Sequence, residues 1–370
     1  MAVARTEQRP NPASTSTAQA NARRSRLAAA AEPPIRPGPG TAVVAIGGSH
    51  TEGCITLANA HLRLELAPSL GGGITRFDWR HEGALVPIFR PCAEPGPDTD
   101  PNQLACYPLL PYSNRIGDGR FQFSGRSIDV PCNRAGEPLP LHGDGWLGAW
   151  QVEAEDAEDA GRARLTLDRS DGKPYSFRAA QTYTLDEATL VVTLDVENTG
   201  DEALPFGLGL HPFLMREADT ELSAAAGGVW LCGDDWLPVR HVPTPPAWQF
   251  GVAYPMPSEM VNNAFTGWSG RTSVLWPKRR LSLTIAADTD YYVLYAPPGE
   301  SFFCFEPVDH PVNAVNLPGG GEAHGMTVLA PGERLSREFR FTVERTGEAA
   351  RRARPRTRAG AKARARSASR

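Results

Sequence analysis

Four stretches of the 370-residue chain gather side chains that can move a proton or hold a hydroxyl group. The first, PYSNRIGDGRFQFSG at 111–125, sets Asn114 and Arg115 between turn signals. A guanidinium is a fork of donors suited to hydroxyls or carboxylates, although a lone arginine in such a place more often caps loop carbonyls. The second, LHGDGWLGAW at 141–150, places His142 among glycines and two tryptophans. Tryptophan beside polar groups can serve as a platform for a sugar ring, but a core tryptophan is the commoner case. The third, LPFGLGLHPFLM at 204–215, brings His211 to the end of an apolar run just before Pro212, which predicts the end of a buried strand at a rim. A single histidine there is more often a satisfied core residue than a catalyst. The fourth, YYVLYAPPGESFFCFEPVDHPVNAVN at 291–316, sets Glu306 inside the apolar run SFFCFEP. A carboxylate in that setting is paired, bonded to backbone amides, or raised in pKa, and shifted acids concentrate at functional sites. His211 and Glu306 together suggest acid–base work near neutral pH, one holding a proton and the other taking it. Nothing in the sequence brings the two close in space.

The elements that must position these residues read as strands. HLRLEL (61–66), RARLTL (162–167), ATLVVTLDVEN (188–198), LSLTIA (281–286) and SREFRFTV (336–343) alternate apolar and polar residues with period two, as half-buried strands do. Turn chemistry separates them: GGG at 71–73, SDGKP at 170–174, NTGDE at 198–202. No helical periodicity stands out between residues 50 and 344, and no internal repeat points to a propeller. Many short strands over this length predict an all-β fold, one large antiparallel sandwich in a single domain.

Composition bounds the rest. With 41% hydrophobic and 22% charged residues the chain is globular, and no apolar run approaches the roughly 20 residues of a membrane helix. The net charge of −4 is unevenly spread. Residues 1–49 hold six arginines against two acids, and residues 345–370 hold nine arginines and one lysine against one glutamate. The 295 residues from 50 to 344 therefore carry −17. The Ala/Pro/Arg-rich segment 1–49 is expected to be disordered, because it has too little apolar surface to offset its ordering entropy. It has no secretory h-region, and its prolines oppose the amphipathic helix of a mitochondrial transit peptide. The basic tail 345–370 is likewise expected to stay extended. It is either an unpartnered appendage, the commoner case, or a site of non-specific contact with a polyanion such as RNA or DNA. Six cysteines at 54, 92, 106, 132, 232 and 304 form no CxxC pair and no zinc pattern with the eight histidines, so reduced structural thiols, no metal and a cytoplasmic location are expected.

In order, the four polar stretches resemble the aldose 1-epimerase (galactose mutarotase) family. The matching segments are NRIGDGRFQFSG, LHGDGW, the run NTGDEALPFGLGLHPF, and FFCFEPVDHPVNAVN followed by LAPGE at 329–333. They span roughly Leu62 to Val343 and leave both ends uncovered. The resemblance implies a β-supersandwich with its site on a concave face, a monosaccharide substrate, no cofactor, and a monomer or dimer. It also implies roles: Glu306 as catalytic base, His211 as catalytic acid, and Asn114, Arg115 and His142 as binders of sugar hydroxyls and ring. The family usually carries an Asp in the segment reading here VNNAFTGWSG (261–270), where Asn262 stands instead. Asn both accepts and donates and carries no charge, so an altered hydroxyl preference, another sugar or a weakened activity is open. Glu306 ionised with His211 protonated predicts a bell-shaped pH profile.

The leading expectation is interconversion of the α and β anomers of a free hexose of the galactose or glucose type. A hexose-6-phosphate 1-epimerase shares fold and pair but would want a basic phosphate pocket. Residues 50–344 hold only 22 basic side chains against 39 acidic ones, which discourages it. A non-catalytic sugar-binding module on the same scaffold is the alternative from another class, since fold does not fix function. Retention of both His211 and Glu306 favours catalysis.

Overall fold

The computed structural model of the chain describes residues 45–46, 53–153 and 161–347. The ends expected at 1–49 and 345–370 lie outside the described residues, apart from 45–46 and 345–347. Ala45–Ile46, in the one branched-aliphatic run of the first end, pairs antiparallel with the strand Ile55–Ala58.

Nearly every element is a strand, and the α-helix found among the described residues is the single turn Gly320–Ala323. The five alternating stretches all form strands: Leu62–Ala67, Arg162–Arg169, Thr189–Asn198, Leu281–Ala287 and Arg334–Arg345. Thr189–Asn198 buries every second residue without exception, so one face must lie against a core. The glycines at 71 and 72 adopt positive φ, +63° and +60°, and turn the chain into the strand Gly73–His81.

Three sheets carry the architecture. A five-stranded antiparallel meander runs from Ala45–Ile46 to Ala84–Pro87. A nine-stranded sheet is centred on Leu281–Ala287, Arg334–Arg345 and Thr189–Asn198, paired in that order. An eight-stranded sheet runs Pro238–Pro243, Gly228–Cys232, Val261–Thr266, Tyr291–Ala296, Phe302–Val308, Gly209–Leu210, Pro108–Leu109, with Phe213–Met215 also pairing with Phe302–Val308. Every named pairing is antiparallel.

The main core joins Leu194, Ile285 and Phe341 of the nine-stranded sheet to Leu294, Phe303 and Phe305 of the eight-stranded one. Period two then decides the other face. Phe303 and Phe305 point into this core, so Cys304, Glu306 and Val308 point the opposite way. There a second apolar cluster has formed from Tyr107, Leu141, Trp146, Phe213, Ala264, Val293, Cys304 and Val308. That outer face of the eight-stranded sheet carries the polar side chains singled out above.

Candidate active site

Glu306 sits opposite Val293 in the strand register, and Val293 sits opposite Ala264. Two residues along, Cys304, Tyr295 and Asn262 form the parallel row on the same face. His211 follows the short strand Gly209–Leu210, and its backbone N–H donates to the Tyr107 carbonyl at 3.0 Å. The strand ends there because Pro212 has no donor.

These placements bring two residues, far apart in sequence, into contact. His211 Nε2 lies 3.3 Å from Glu306 Oε1, with the side chains 10% and 3% exposed. Glu306 Oε2 and His211 Nδ1 are buried and have no hydrogen-bond partner. Burial acts oppositely on the two groups. It pushes the Glu306 carboxyl up, with the Arg115 charge pulling partly back, and it pushes the His211 imidazole down. A carboxyl and an imidazole so shifted share one proton between them over a wide pH range.

His142 is the third group at this centre. Its ring meets that of His211 edge to face, centroids 5.3 Å apart. Two loops clasp to hold it. Asn114 and His142 both take left-handed backbone conformations, φ +57° and +60°. The Asn114 N–H donates to His142 Nδ1 at 3.0 Å, and the His142 N–H donates to the Asn114 carbonyl at 2.9 Å. Nδ1 must therefore accept, which leaves the neutral ring with its hydrogen on Nε2. Burial, followed by the charges of His211, Arg115 and Arg134, holds His142 well below the ordinary imidazole range. The ring is a fixed neutral donor.

Arg115 extends from the same loop and meets Glu137 at 3.2 Å. Its charge reaches both Glu306 and His142. The Asn114 side chain folds back to accept from the Arg115 N–H at 3.0 Å. Asn262 is half-buried on the Glu306 face, one strand beyond Tyr295.

Other polar residues of the motifs are committed to structure. His310 Nε2 accepts from the Ser113 N–H at 3.1 Å, and Asn313 Oδ1 accepts from the Gly117 N–H at 2.8 Å. Asp309 is buried with Arg337 at 2.7 Å and also accepts from the Leu208 N–H at 2.9 Å. Of the run EPVDHPVN, then, Glu306 faces the His211 ring, and His310 and Asn313 brace the loop carrying Asn114 and Arg115. Trp146 is fully buried, its indole N–H donating to the Leu141 and Gly143 carbonyls at 3.2 and 3.0 Å. It is a core pillar beneath His142, with no face left for a sugar. Tyr107 and Phe213 are residues that sequence reasoning missed. Their rings stack on His211 with centroids at 4.6 and 4.8 Å. Tyr107 lies in the apolar run LACYPLLP, which gave no polar signal, and Phe213 shared the His211 segment without standing out.

Gly143 makes the clasp possible. It has φ +66°, and a Cβ there would lie 2.2 Å from the Leu110 carbonyl oxygen. Left-handed backbone costs a non-glycine residue about 1–2 kcal/mol before any clash is counted. Gly143→Ala is expected to destabilise the protein by at least that amount and to displace His142. A denaturant midpoint equal to that of the wild type would contradict the close approach.

An antiparallel sandwich with an imidazole and a carboxyl in contact on the outer face of one sheet narrows the class, and the comparisons with known proteins give its family and fold. Residues 53–342 match the aldose 1-epimerase family. The chain belongs to that family. It is 32% identical over 299 residues to YphB, an uncharacterized protein of Escherichia coli K12, covering 78% of this chain and 98% of that one. The galactose mutarotase of Rattus norvegicus is 29% identical over 138 residues, 36% of this chain and 38% of its own length. Among solved structures, a putative aldose 1-epimerase of Escherichia coli K12 superposes with a TM-score of 0.71 at 29% identity, covering 83% of this chain and 99% of that one. The fold is thus the galactose mutarotase-like sandwich, and the family implies a sugar substrate. No helix among the described residues is long and apolar enough to cross a membrane.

Proposed function

We propose that this protein interconverts the α and β anomers of a free aldohexose of the galactose or glucose type, opening the hemiacetal ring and closing it on the other face. One observation carries the reading: the buried His211–Glu306 contact at 3.3 Å, in which the carboxyl keeps one oxygen without a partner. Such an orphaned group costs about 1–3 kcal/mol, and a sugar hydroxyl supplies the missing donor.

In this mechanism Glu306 removes the proton from the anomeric O1. The O1–H electron pair becomes the second bond of the C1 carbonyl. The C1–O5 bond breaks, its pair stays on the ring oxygen, and His211 protonates that oxygen. The open-chain aldehyde rotates about C1–C2, and O5 attacks the other carbonyl face. His211 then recovers its proton and Glu306 returns its own to O1, so the roles reverse and the balance closes. His142 donates from Nε2 to a sugar oxygen, while Asn114, Arg115 and Asn262 bind hydroxyls. Asn262 would both donate and accept where an Asp only accepts, and this tunes which hydroxyl orientation is preferred. The reading takes the cytoplasm as the compartment, in keeping with six free cysteines.

Polarimetry of freshly dissolved α-D-galactose and α-D-glucose tests the proposal. A mutarotation rate equal to the spontaneous one, on these and a wider panel of aldoses, ends the enzymatic reading.

The pH dependence follows from the shared proton. A second proton leaves two acids and no base; loss of the only proton leaves two bases and no acid. Because burial lowers His211 to about 3, the acid limb should fall well below the ordinary imidazole range; because burial raises Glu306 to about 8, the alkaline limb should lie above that range. The bell expected from the residue types alone is thereby widened into a plateau across mildly acidic pH. A loss of kcat centred near the unperturbed imidazole value of about 6.5 contradicts this arrangement.

A further inference from the structure

The surroundings of the acid contain a cation that no role has yet absorbed. Arg90 follows the strand Ala84–Pro87, and its backbone N–H donates to the Phe213 carbonyl at 2.7 Å. Its guanidinium carbon lies 3.9 Å from the centroid of the Phe213 ring and 4.6 Å from that of Phe302. One guanidinium nitrogen donates to the carbonyls of Asn102 and Leu104 at 2.6 and 2.9 Å. No carboxylate among the described residues lies within ion-pair distance of it. Phe213 in turn stacks on His211 at 4.8 Å. A guanidinium held on carbonyls and ring faces stays charged, and aromatic faces attract it.

We propose that Arg90 is a positioning residue for His211: it clamps Phe213 against the imidazole and sets a permanent positive charge beside the group that donates a proton to the sugar. The proposal rests on the epimerase reading for its purpose. The ring oxygen of a sugar is a weak base, so a donor with a lowered pKa gains driving force for the transfer while holding its proton in a smaller fraction of molecules, and a fixed ring orientation offsets that loss.

The other groups around the imidazole leave this part to Arg90. Glu306 touches it and is the anion at the site. His142 faces it edge-on as a neutral ring, and the Tyr107 hydroxyl is turned to Asn102 at 2.8 Å. Cys106 and Cys304 are buried thiols whose pKa values burial pushes up, so they carry no charge. Arg115 and Arg134 act on His142, and Arg115 also on Glu306. Burial comes first among the causes that lower His211, and the Arg90 charge adds to it.

The test uses the full chain with isotope-labelled histidine rings, in wild type, Arg90→Met and Arg90→Lys. The His211 signal is assigned from its absence in His211→Gln. In Arg90→Met the His211 titration and the acid limb of the rate profile should both move to higher pH. Charge loss alone populates the acid more often, so the fall in kcat should be only several-fold and come from the loosened clamp on the imidazole, with KM little changed. Arg90→Lys keeps the charge and should stay close to wild type in titration. Should Arg90→Met not fold, Arg90→Gln keeps an amide donor for the two carbonyls and removes only the charge. An unchanged His211 titration in the neutral variant overturns the proposal, and so does a loss confined to KM, which would mean that Arg90 touches the sugar. The ring titration needs no turnover. If the wild type proves inactive on aldoses while the titration still moves, the reaction assigned above fails and the placement of Arg90 stands.

Discussion

Glu306→Gln should lower the catalysed rate of mutarotation by about 10²–10⁴-fold, the range lost with a positioned general base, and should leave the fold as stable as before. The substitution keeps the shape of the side chain. A Gln carbonyl oxygen can still meet His211 Nε2 where the carboxyl stood at 3.3 Å, and the amide fits the same slot beside Val293 on the face of the second apolar cluster. What disappears is the capacity to take the O1 proton. Stability should hold because Glu306 is held against burial rather than helped by it: its carboxyl is pushed up, so its charged form is disfavoured in this site. A neutral isostere removes that cost. Polarimetry reads the rate and thermal denaturation reads the fold. A rate close to wild type means that the base is elsewhere. A large fall in melting temperature means that the carboxyl is a structural anchor, as a Glu bonded to backbone amides would be, and the absence of any such bond to Oε2 argues against it.

The strands and the sandwich were legible because their cause is local. Alternation in ATLVVTLDVEN is visible in one segment, and the strand Thr189–Asn198 follows it residue by residue. The candidate site was legible only in parts. SFFCFEP announces that a carboxyl is buried, since hydrophobic neighbours on both sides leave no other place for it. It does not announce the partner, because His211 reaches Glu306 through the pairing of Phe213–Met215 with Phe302–Val308, a long-range register. Residue type does not separate the site from its supports. Asp309, His310 and Asn313 look as reactive in the sequence as Glu306 does, yet hydrogen bonds to Leu208, Ser113 and Gly117 occupy them. Tyr107, Phe213 and Arg90 show the reverse failure. Their contribution is to hold an imidazole in place, and that depends on ring geometry, which leaves no mark on residue type or spacing.

Replacing His211 by Gln should cost as much as replacing Glu306, and the two losses should not add. Without the imidazole, Glu306 remains buried with no partner for Oε1 in place of one orphaned oxygen. Desolvation, the main cause of its raised pKa, remains, and the carboxyl stays protonated at neutral pH. His211→Gln therefore removes the acid and disables the base in one step. Glu306→Gln works from the other side: it leaves a neutral imidazole that burial and Arg90 keep from taking up a proton. Each single variant should lose about 10²–10⁴-fold in rate, and the double variant should lie within a few-fold of the slower single one. Residues that act as a unit behave in this way, whereas independent contributions multiply. Measured by polarimetry at the plateau pH, multiplying losses would mean that His211 and Glu306 serve the reaction separately and do not share a proton. Sugar affinity supplies the control. His142, Asn114 and Arg115 are held by their own loop clasp and by Glu137 rather than by the pair. Binding of galactose to the single variants should thus weaken far less than turnover does. A parallel collapse of binding and rate would instead mark the pair as the sugar's main anchor and leave the chemistry to another group.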